Sequence, residues 1–385
     1  MKKAKQVTAF FLAALIAAST VPAYAEEQSA STAYTVSYSQ VEQLVLNNNL
    51  HAQSNGLTVG MLDDESELKK KYDKISDTLS QTSASLTAII NNPQTSSDLK
   101  TVAQGTEVTI SSLSEMLNSQ EEANDDDYEL TELQVALSNN QLVKSAQSMF
   151  SVYYQLQYNI GQLKNTRALL EDSLNAAQTQ YELKLVTSTA VTDSKTAIST
   201  LDNNITDLQN QSKSIGYQMN QLLGHSYNDQ ITFGDLPVPD TAYVGKINLT
   251  NDIATAQAAS YKVKISLKER SILGDDTTTN RDKRQIKSNE AQLETENVGA
   301  SLESQYSTIT KQQAVLATEQ NKLANAKLKF DQAKEKYDLG YLSKMEFDKM
   351  ENDYLTEELN SETASATLFW NIESYKWIVK GLPTS

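Results

Sequence analysis

The stretch YELKLVTSTAV at residues 181–191 recurs, in altered form, as YDLGYLSKMEF at residues 337–347. Six pairs of equivalent positions carry identical or chemically similar residues. In the first stretch they are Tyr181, Glu182, Leu183, Val186, Thr187 and Val191; their equivalents in the second, in the same order, are Tyr337, Asp338, Leu339, Leu342, Ser343 and Phe347. Both stretches contain residues that helices tolerate poorly, namely the β-branched Val186 and Thr187 and the glycine Gly340. A chain with 12 Gly and 5 Pro therefore contains the same short helix interruption twice.

Apolar residues on both sides of each interruption recur at heptad spacing. The first interruption is flanked by Leu156, Ile160, Leu163, Leu170, Leu174, Ala177 and Tyr181 and then by Val191, Ile198, Leu201, Ile205, Leu208, Ile215, Met219 and Leu222. The second is preceded by Leu316, Leu323, Ala326, Phe330, Ala333 and Tyr337 and followed by a weaker series. A narrow apolar stripe of period 3.5 is typical of a coiled coil. We therefore predict an all-α fold of elongated, internally duplicated helical hairpins, with Thr187 and Ser343 capping the returning helices.

Proline positions divide the chain into two halves. Residues 94–236 and 240–382 contain no Pro, which would cost about 3 kcal/mol inside a helix. The segment FGDLPVPD at 233–240 is the one clear linker. The predicted organisation is a signal peptide at 1–25, a first helical repeat at 26–236, a linker at 237–246 and a second repeat at 247–385. Hairpins with such a thin apolar seam need partners, so we expect association with other copies of the chain.

The N-terminus has the three parts of a secretory signal. Lys2, Lys3 and Lys5 precede an apolar run at residues 7–18, and Ala23-Tyr24-Ala25 offers a cleavage site. The run is too short to span a bilayer, for which about 20 residues are needed. We expect an exported protein of the cell envelope or the extracellular space. The formal net charge of −16 argues against nucleic acid and anionic membrane surfaces as partners.

The sequence contains no recognisable catalytic or cofactor-binding motif. The two histidines, His51 and His225, have no second ligand at helical spacing, which argues against a zinc site and a histidine-based catalyst. G-x-S-x-G, P-loop and G-x-G-x-x-G motifs do not occur. The acidic residues at 125–127 and 275–276 are hard oxygen ligands, but they lack the spacing of a known calcium loop and we interpret them as solvated turns. We expect neither an enzyme nor a cofactor.

With its doubled tip, the chain resembles the TolC family of outer-membrane efflux proteins. Family members are internally duplicated, and each half contains a long helix, a short tip of the form V-G-L-[VTS] and a returning helix. In this chain, VEQLVLNNN at 41–49 and INLTNDIATAQAAS at 247–260 are similar to the opening helices of the two halves of family members. QLLG at 221–224 and IVKG at 378–381 are similar to the ends of those halves. The resemblance covers nearly all of the mature chain, and its specificity comes from duplication, order and spacing together.

The resemblance implies both an assembly and a function. Three subunits of the family form a hollow α-helical barrel whose tips meet an adaptor protein, which sits on an ABC-type or other transporter. The adaptor-binding tips would be Lys184, Leu185, Val186, Thr187, Gly340, Tyr341, Leu342 and Ser343, and the aperture residue Glu346. Lys184 replaces the usual Gly, and Lys349 stands where a second acid often occurs. The implied function is a non-enzymatic conduit of a multipartite efflux or secretion system; the alternative hypothesis is a coiled-coil cell-wall or surface scaffold.

The strands that family members insert between the helices of each half are not evident here. Those strands form an outer-membrane β-barrel, and each needs about ten residues of alternating apolar and polar character. In residues 96–130 only Val108, Thr109 and Ile110 alternate, and the rest is typical of a helix and an acidic loop. In residues 274–290 Ile286 is the sole large apolar residue. We therefore predict a TolC-like chain without the transmembrane β-barrel, from a bacterium that has no outer membrane.

Overall fold

The structure, a computed structural model, describes residues 33–59, 65–92, 95–119, 128–274 and 277–382. The predicted signal peptide and the acidic residues at 125–127 and 275–276 lie outside this part of the chain. Almost all described residues belong to helices, which confirms the prediction of an all-α fold with long helical hairpins. In the described residues, no helix combines the length and the apolar composition required to cross a membrane.

Besides a short 3₁₀ helix at Tyr38–Gln40, the first half consists of one strand and six α-helices among the residues described. They are β1 (Ala33–Val36), α1 (Val41–Asn48), α2 (Leu50–Val59), α3 (Glu65–Asn91), α4 (Ser97–Ser119), α5 (Tyr128–Glu182) and α6 (Ser188–Leu222). Helix α4 contains the brief alternation at Val108–Ile110, and it packs against α3. The segment that was predicted to be largely helical is therefore a helix in its described part.

The second half follows a similar order. Its described elements are β2 (Gln230–Phe233), α7 (Thr241–Val244), α8 (Leu249–Ala259), α9 (Tyr261–Ser271), α10 (Thr278–Asp338) and α11 (Lys344–Val379). Strands β1 and β2 pair in parallel, with Ala33 opposite Gln230 and Val36 opposite Phe233. The residues between β2 and α7 form neither helix nor strand, as two prolines in that segment would dictate.

The helices are distributed over two compact units, and each unit draws on both halves of the sequence. Unit 1 comprises Met1–Phe150, Ile215–Thr308 and Trp370–Ser385, within the described residues. Unit 2 comprises Ser151–Ser214 and Ile309–Phe369. The long helices α5, α6, α10 and α11 contribute to both units because their two ends lie in different ones.

Unit 1 contains the same helical bend in both halves. Asn49 separates α1 from α2, Ser260 separates α8 from α9, and both side chains are buried. The Oδ1 atom of Asn49 accepts hydrogen bonds from the backbone N–H groups of His51 (2.9 Å) and Ala52 (3.2 Å). The Oγ atom of Ser260 accepts one from the N–H group of Val263 (3.4 Å). Each polar side chain therefore caps the helix that follows it.

Two glycines close α6 and α11 against these bends. Gly224 and Gly381 have φ values of 73° and 96°. A Cβ atom at position 224 would lie 2.2 Å from the carbonyl oxygen of Asn48, and one at 381 would lie 2.3 Å from that of Ala259. Glycine is required at both positions, for the backbone angle and for the space. The similar sequences QLLG and IVKG thus have the same role in the two halves.

Unit 2 consists of two helical hairpins, one made by α5 and α6 and the other by α10 and α11. Polar contacts join their helices: the Nε2 atom of Gln157 donates to Oγ of Ser212 at 2.8 Å within the first hairpin. Between the hairpins, Nε2 of Gln162 donates to Oδ1 of Asn360 at 2.8 Å, and Nδ2 of Asn352 donates to the backbone oxygen of Asn165 at 2.7 Å. Amide side chains therefore help to join the helices of unit 2, within a hairpin and between the hairpins.

Candidate functional site

The first hairpin tip is a helix C-terminus that closes through two backbone hydrogen bonds. Leu185 N–H donates to the oxygen of Gln180 (2.8 Å), and Lys184 N–H donates to that of Tyr181 (2.9 Å). This pair of bonds is the Schellman motif, whose penultimate residue takes the left-handed conformation. Lys184 has a φ of 61° and is the only non-glycine residue with positive φ in the described part of the chain. The lysine does not prevent the turn, but it adopts a conformation that costs a non-glycine residue roughly 1 kcal/mol.

The second tip closes by the same motif. Tyr341 N–H donates to the oxygen of Lys336 (2.8 Å), and Gly340 N–H donates to that of Tyr337 (2.9 Å). Gly340 has a φ of 76°. No heavy atom of the described residues lies within 4 Å of a Cβ placed on it. Glycine is therefore favoured at position 340 only by the backbone angle, whereas the glycines that close α6 and α11 are also required by the lack of space.

Large apolar side chains are exposed to solvent at both tips. Their exposed fractions are 65% for Leu183, 71% for Leu185, 70% for Leu339, 80% for Tyr341 and 62% for Met345. Val186 and Leu342 are half-buried. Exposed apolar groups at the two tips make them candidates for a protein-binding surface. The sequence analysis did not place Leu183, Leu339 and Met345 among the tip residues, although the repeat alignment pairs the first two with each other.

A row of aromatic rings joins α10 and α11 next to the second tip. The ring centroids of Tyr337 and Phe347 are 4.8 Å apart, those of Phe347 and Phe330 5.7 Å, and those of Phe330 and Tyr354 5.3 Å. Such ring pairs contribute about 0.5–1.5 kcal/mol each beyond the area they bury. Aliphatic side chains stand at three of the four equivalent positions of the first tip: Leu174, Val191 and Ile198. The second tip is therefore held by more specific contacts than the first.

A capping box starts α11 at the second tip. The carboxylate Oε2 of Glu346 accepts hydrogen bonds from the backbone N–H (3.1 Å) and the hydroxyl (2.7 Å) of Ser343. In return, the Oγ atom of Ser343 accepts a bond from the N–H group of Glu346 (3.3 Å). The hydroxyl bond, followed by the backbone bond, lowers the pKa of Glu346 from its ordinary value of 4.5. The predicted aperture residue thus holds the start of its own helix, and Ala190 stands at the equivalent place of the first tip.

The two histidines take part in packing. Burial lowers the pKa of His51 to about 4. The ring of His225 stacks on Tyr34 with centroids 3.9 Å apart, and its Nδ1 atom lies 3.6 Å from a carboxylate oxygen of Asp229. Within the described ranges, no group of three or more His, Asp or Glu side chains is placed to hold a metal ion. The tips are therefore the strongest candidate site in this part of the chain.

The fold is similar to that of a solved transmembrane channel. Superposition on a crystal structure of the transmembrane channel CusC gives a TM-score of 0.52 at 13% sequence identity, covering 90% of this chain and 96% of that chain. VceC from Vibrio cholerae gives 0.46 at 11% identity, covering 90% and 97%. The Campylobacter jejuni CmeC outer membrane channel gives 0.44 at 11% identity, covering 90% and 86%.

No protein-family model matches the chain, and no curated protein does. The order of elements, the doubled Schellman tips and the superposition on CusC nevertheless agree with the resemblance drawn from the sequence. The chain therefore has the fold of the TolC family of outer-membrane channels.

Proposed function

We propose that this chain is a non-enzymatic component of a multipartite efflux or secretion system. It forms a helical conduit as a homotrimer and docks an adaptor protein through its two hairpin tips, and the adaptor connects it to an ABC-type or other transporter. The fold shared with CusC supports the conduit. The docking proposal is carried by one observation: both tips are built by the same turn and both expose large apolar side chains.

Tip geometry supports strong binding by few residues. Burying a leucine or a similar side chain contributes about 1.5–3 kcal/mol. Leu185 and Tyr341 are exposed by 71% and 80%, so most of this contribution is still to be gained. The Schellman bonds hold the backbone on either side of these residues, which lowers the conformational entropy lost on binding. A partner with an apolar, hairpin-like end fits such a surface.

The proposed location is the envelope of a bacterium without an outer membrane, reached by cleavage of the signal peptide at 1–25. The support comes from the two segments in which family members insert strands. Residues 97–119 form α4, and residues 278–290 belong to the first turns of α10. The described parts of both segments are thus helical: α4 is amphipathic, with Leu99, Ala103 and Ile110 buried, and the start of α10 is strongly polar.

A crosslinking pull-down from envelope extract tests the docking. The baits are the mature wild-type chain, the tip variant Leu185→Asp/Tyr341→Asp and the control Leu328→Asp. Leu328 is 61% exposed on the stem of α10, so it matches the tip residues in exposure and chemistry. We expect mass spectrometry to find an adaptor and a transporter with the wild type and the control, and neither with the tip variant.

Two results would contradict the proposal. Equal recovery of an adaptor by all three baits would show that the chain docks elsewhere than at its tips. Recovery of wall polymer alone, equal for all baits, would replace the conduit with a scaffold protein. Circular dichroism of each bait provides the necessary check that the substitutions leave the helices intact.

A further inference from the structure

Helices α5 and α10 present equivalent positions to the core of unit 1. The alignment that pairs Tyr181 with Tyr337 also pairs Leu142 with Val298 and Ala146 with Leu302. All four of these side chains are completely buried. The two helices therefore bury the same pair of equivalent positions within unit 1, which gives a reference for the positions at which they differ.

The two helices differ near their starts. Leu130 and Leu137 of α5 are buried, with exposed fractions of 1% and 4%. Their equivalents on α10, Ile286 and Leu293, are exposed by 53% and 60%. Two large apolar residues, two turns apart on one face, are thus covered in the first half and uncovered in the second.

Helices α2 and α9 show the complementary difference. Alignment of the bends at Asn49 and Ser260 pairs Leu50 with Tyr261 and Leu57 with Lys268. Leu50 and Leu57 are exposed by 71% and 60%, again two turns apart on one face.

Their second-half equivalents are engaged with α5 of the first half. The hydroxyl of Tyr261 accepts a hydrogen bond from Nδ2 of Asn140 at 2.9 Å. The Nζ atom of Lys268 lies 2.7 Å from the carboxylate of Glu129. These two contacts place the second-half α9 antiparallel to the start of the first-half α5, along the segment that contains Leu130 and Leu137.

The reciprocal contact would place the first-half α2 on the start of the second-half α10. The chain does not make this contact itself, since both sets of side chains are exposed. We propose that a second copy makes it: Leu50 and Leu57 of one copy pack against Leu293 and Ile286 of the next. This inference rests on the proposed self-assembly and assigns surfaces to it.

The register follows from the contacts inside the chain. Asn140 and Glu129 are equivalent to Glu296 and Gln285 of α10. Leu50 is therefore placed near Glu296 and Leu57 near Gln285, each within one turn of an exposed apolar residue of the partner copy. Two apolar pairs result, rimmed on α10 by the exposed polar side chains of Gln285, Asn289, Gln292 and Glu296. An apolar centre with a polar rim is the usual anatomy of a protein interface.

The contact is head-to-tail, because the two faces belong to different helices. Each copy offers α2 to one neighbour and α10 to the other, so the interface repeats until a ring closes. A self-complementary dimer would instead join α2 to α2. The two arrangements make opposite predictions for crosslinking.

Cysteine crosslinking tests the arrangement directly, because the chain contains no cysteine. The variants are Leu57→Cys and Ile286→Cys, each purified alone and treated with a short bismaleimide. We expect a covalent dimer when the two variants are mixed and none when either is treated alone. The use of separate chains excludes an intramolecular crosslink.

Sedimentation velocity of the mature chain provides the second measurement. We expect the wild type to form an oligomer, Leu50→Asp/Leu57→Asp to weaken the association more than tenfold, and Leu267→Asp to leave it unchanged. Leu267 is 45% exposed on α9 and lies outside both faces. The control thus introduces an aspartate at an exposed leucine of unit 1 that is not part of the proposed interface.

Three results overturn the inference. A dimer formed by Leu57→Cys alone would indicate a self-complementary interface. An oligomer unaffected by Leu50→Asp/Leu57→Asp and without crosslinking would assign the assembly to other faces, and the proposed homotrimer would survive. A chain that stays monomeric, with no crosslink in the mixture, would remove both the inference and the proposed assembly.

Discussion

Lys184 and Gly340 occupy the same left-handed backbone position in the two hairpin tips, with φ values of 61° and 76°. The backbone hydrogen bonds around them are the same, so the two turns differ mainly in the conformational free energy of the residue at that position. A glycine adopts the conformation freely, whereas a lysine is strained in it. Comparing the two tips therefore gives the free energy that a side chain costs at a left-handed position of a helix C-terminus.

Placing glycine at position 184 and lysine at position 340, in separate variants, should change the free energy of unfolding in opposite directions. Lys184→Gly should raise the free energy of unfolding by somewhat less than about 1 kcal/mol, because relief of strain is partly offset by the greater freedom of glycine in the unfolded chain. Gly340→Lys should lower it by about 1 kcal/mol. Urea titration of both variants measures the change. A loss of stability in Lys184→Gly would show that the lysine makes contacts that outweigh its strain.

The glycines that close α6 and α11 should be less tolerant than the glycine at the tip. Gly381→Ala adds a Cβ atom 2.3 Å from the carbonyl oxygen of Ala259, while Gly340→Ala places one in open space. Both substitutions carry the backbone strain of roughly 1 kcal/mol, but only the first also forces two backbone segments apart. We expect Gly381→Ala to cost at least about 2 kcal/mol more than Gly340→Ala. Similar unfolding midpoints for the two variants would contradict this account of the close approach.

The repeat and the heptads were enough to predict the hairpins because period and chain breaks are local properties of a sequence. The tips were placed at 184–187 and 340–343, and the helices do end at Glu182 and Asp338. The left-handed Lys184 was not predictable, since lysine disfavours that conformation and only the hairpin imposes it. The capping box at Ser343 and Glu346 was readable from its S-x-x-E spacing but was interpreted as an aperture residue.

Exposure was harder to predict than secondary structure. Ile286 and Leu130 stand at equivalent positions, yet one is exposed and the other is buried. Periodicity identifies the apolar face of a helix but not the element that covers it, because that element comes from a distant part of the chain. The same reason explains why Leu183 and Leu339 are recognised as part of the repeat but their exposure at the tips is not predicted.

The row of aromatic rings should make the second tip more sensitive to substitution than the first. Phe347→Leu keeps most of the side-chain volume but removes the ring that joins Tyr337 and Phe330, so it should lower the free energy of unfolding by about 1 kcal/mol. Val191→Leu, at the equivalent position of the first tip, removes no ring contact and should change stability less. Urea titration with near-ultraviolet circular dichroism measures both effects. Equal losses in the two variants would mean that the stacking adds nothing to burial.

The capping box should make the start of α11 sensitive to pH. The bonds from Ser343 lower the pKa of Glu346 in the folded chain. The stabilisation by the ionised carboxylate is therefore fully present above the unfolded value of 4.5 and is lost as the pH falls through the lower folded value. We expect Glu346→Ala to speed amide hydrogen exchange in the first turn of α11 at pH 7. The difference from the wild type should shrink below pH 4.5.

The first tip offers a matched control for this prediction. Ala190→Glu places a carboxylate three residues after Thr187, which recreates the spacing of the box at the start of α6. Exchange at the first turn of α6 should then become slower at pH 7, and the gain should disappear on acidification as it does for Glu346. If Ala190→Glu raises protection against exchange equally at pH 7 and well below the pKa of a glutamate, the gain does not come from the charged cap, and helix propensity does not explain it either because alanine is the better helix former. The same reasoning would then have to be withdrawn for Glu346, and its place beyond the second tip would be free for the aperture role.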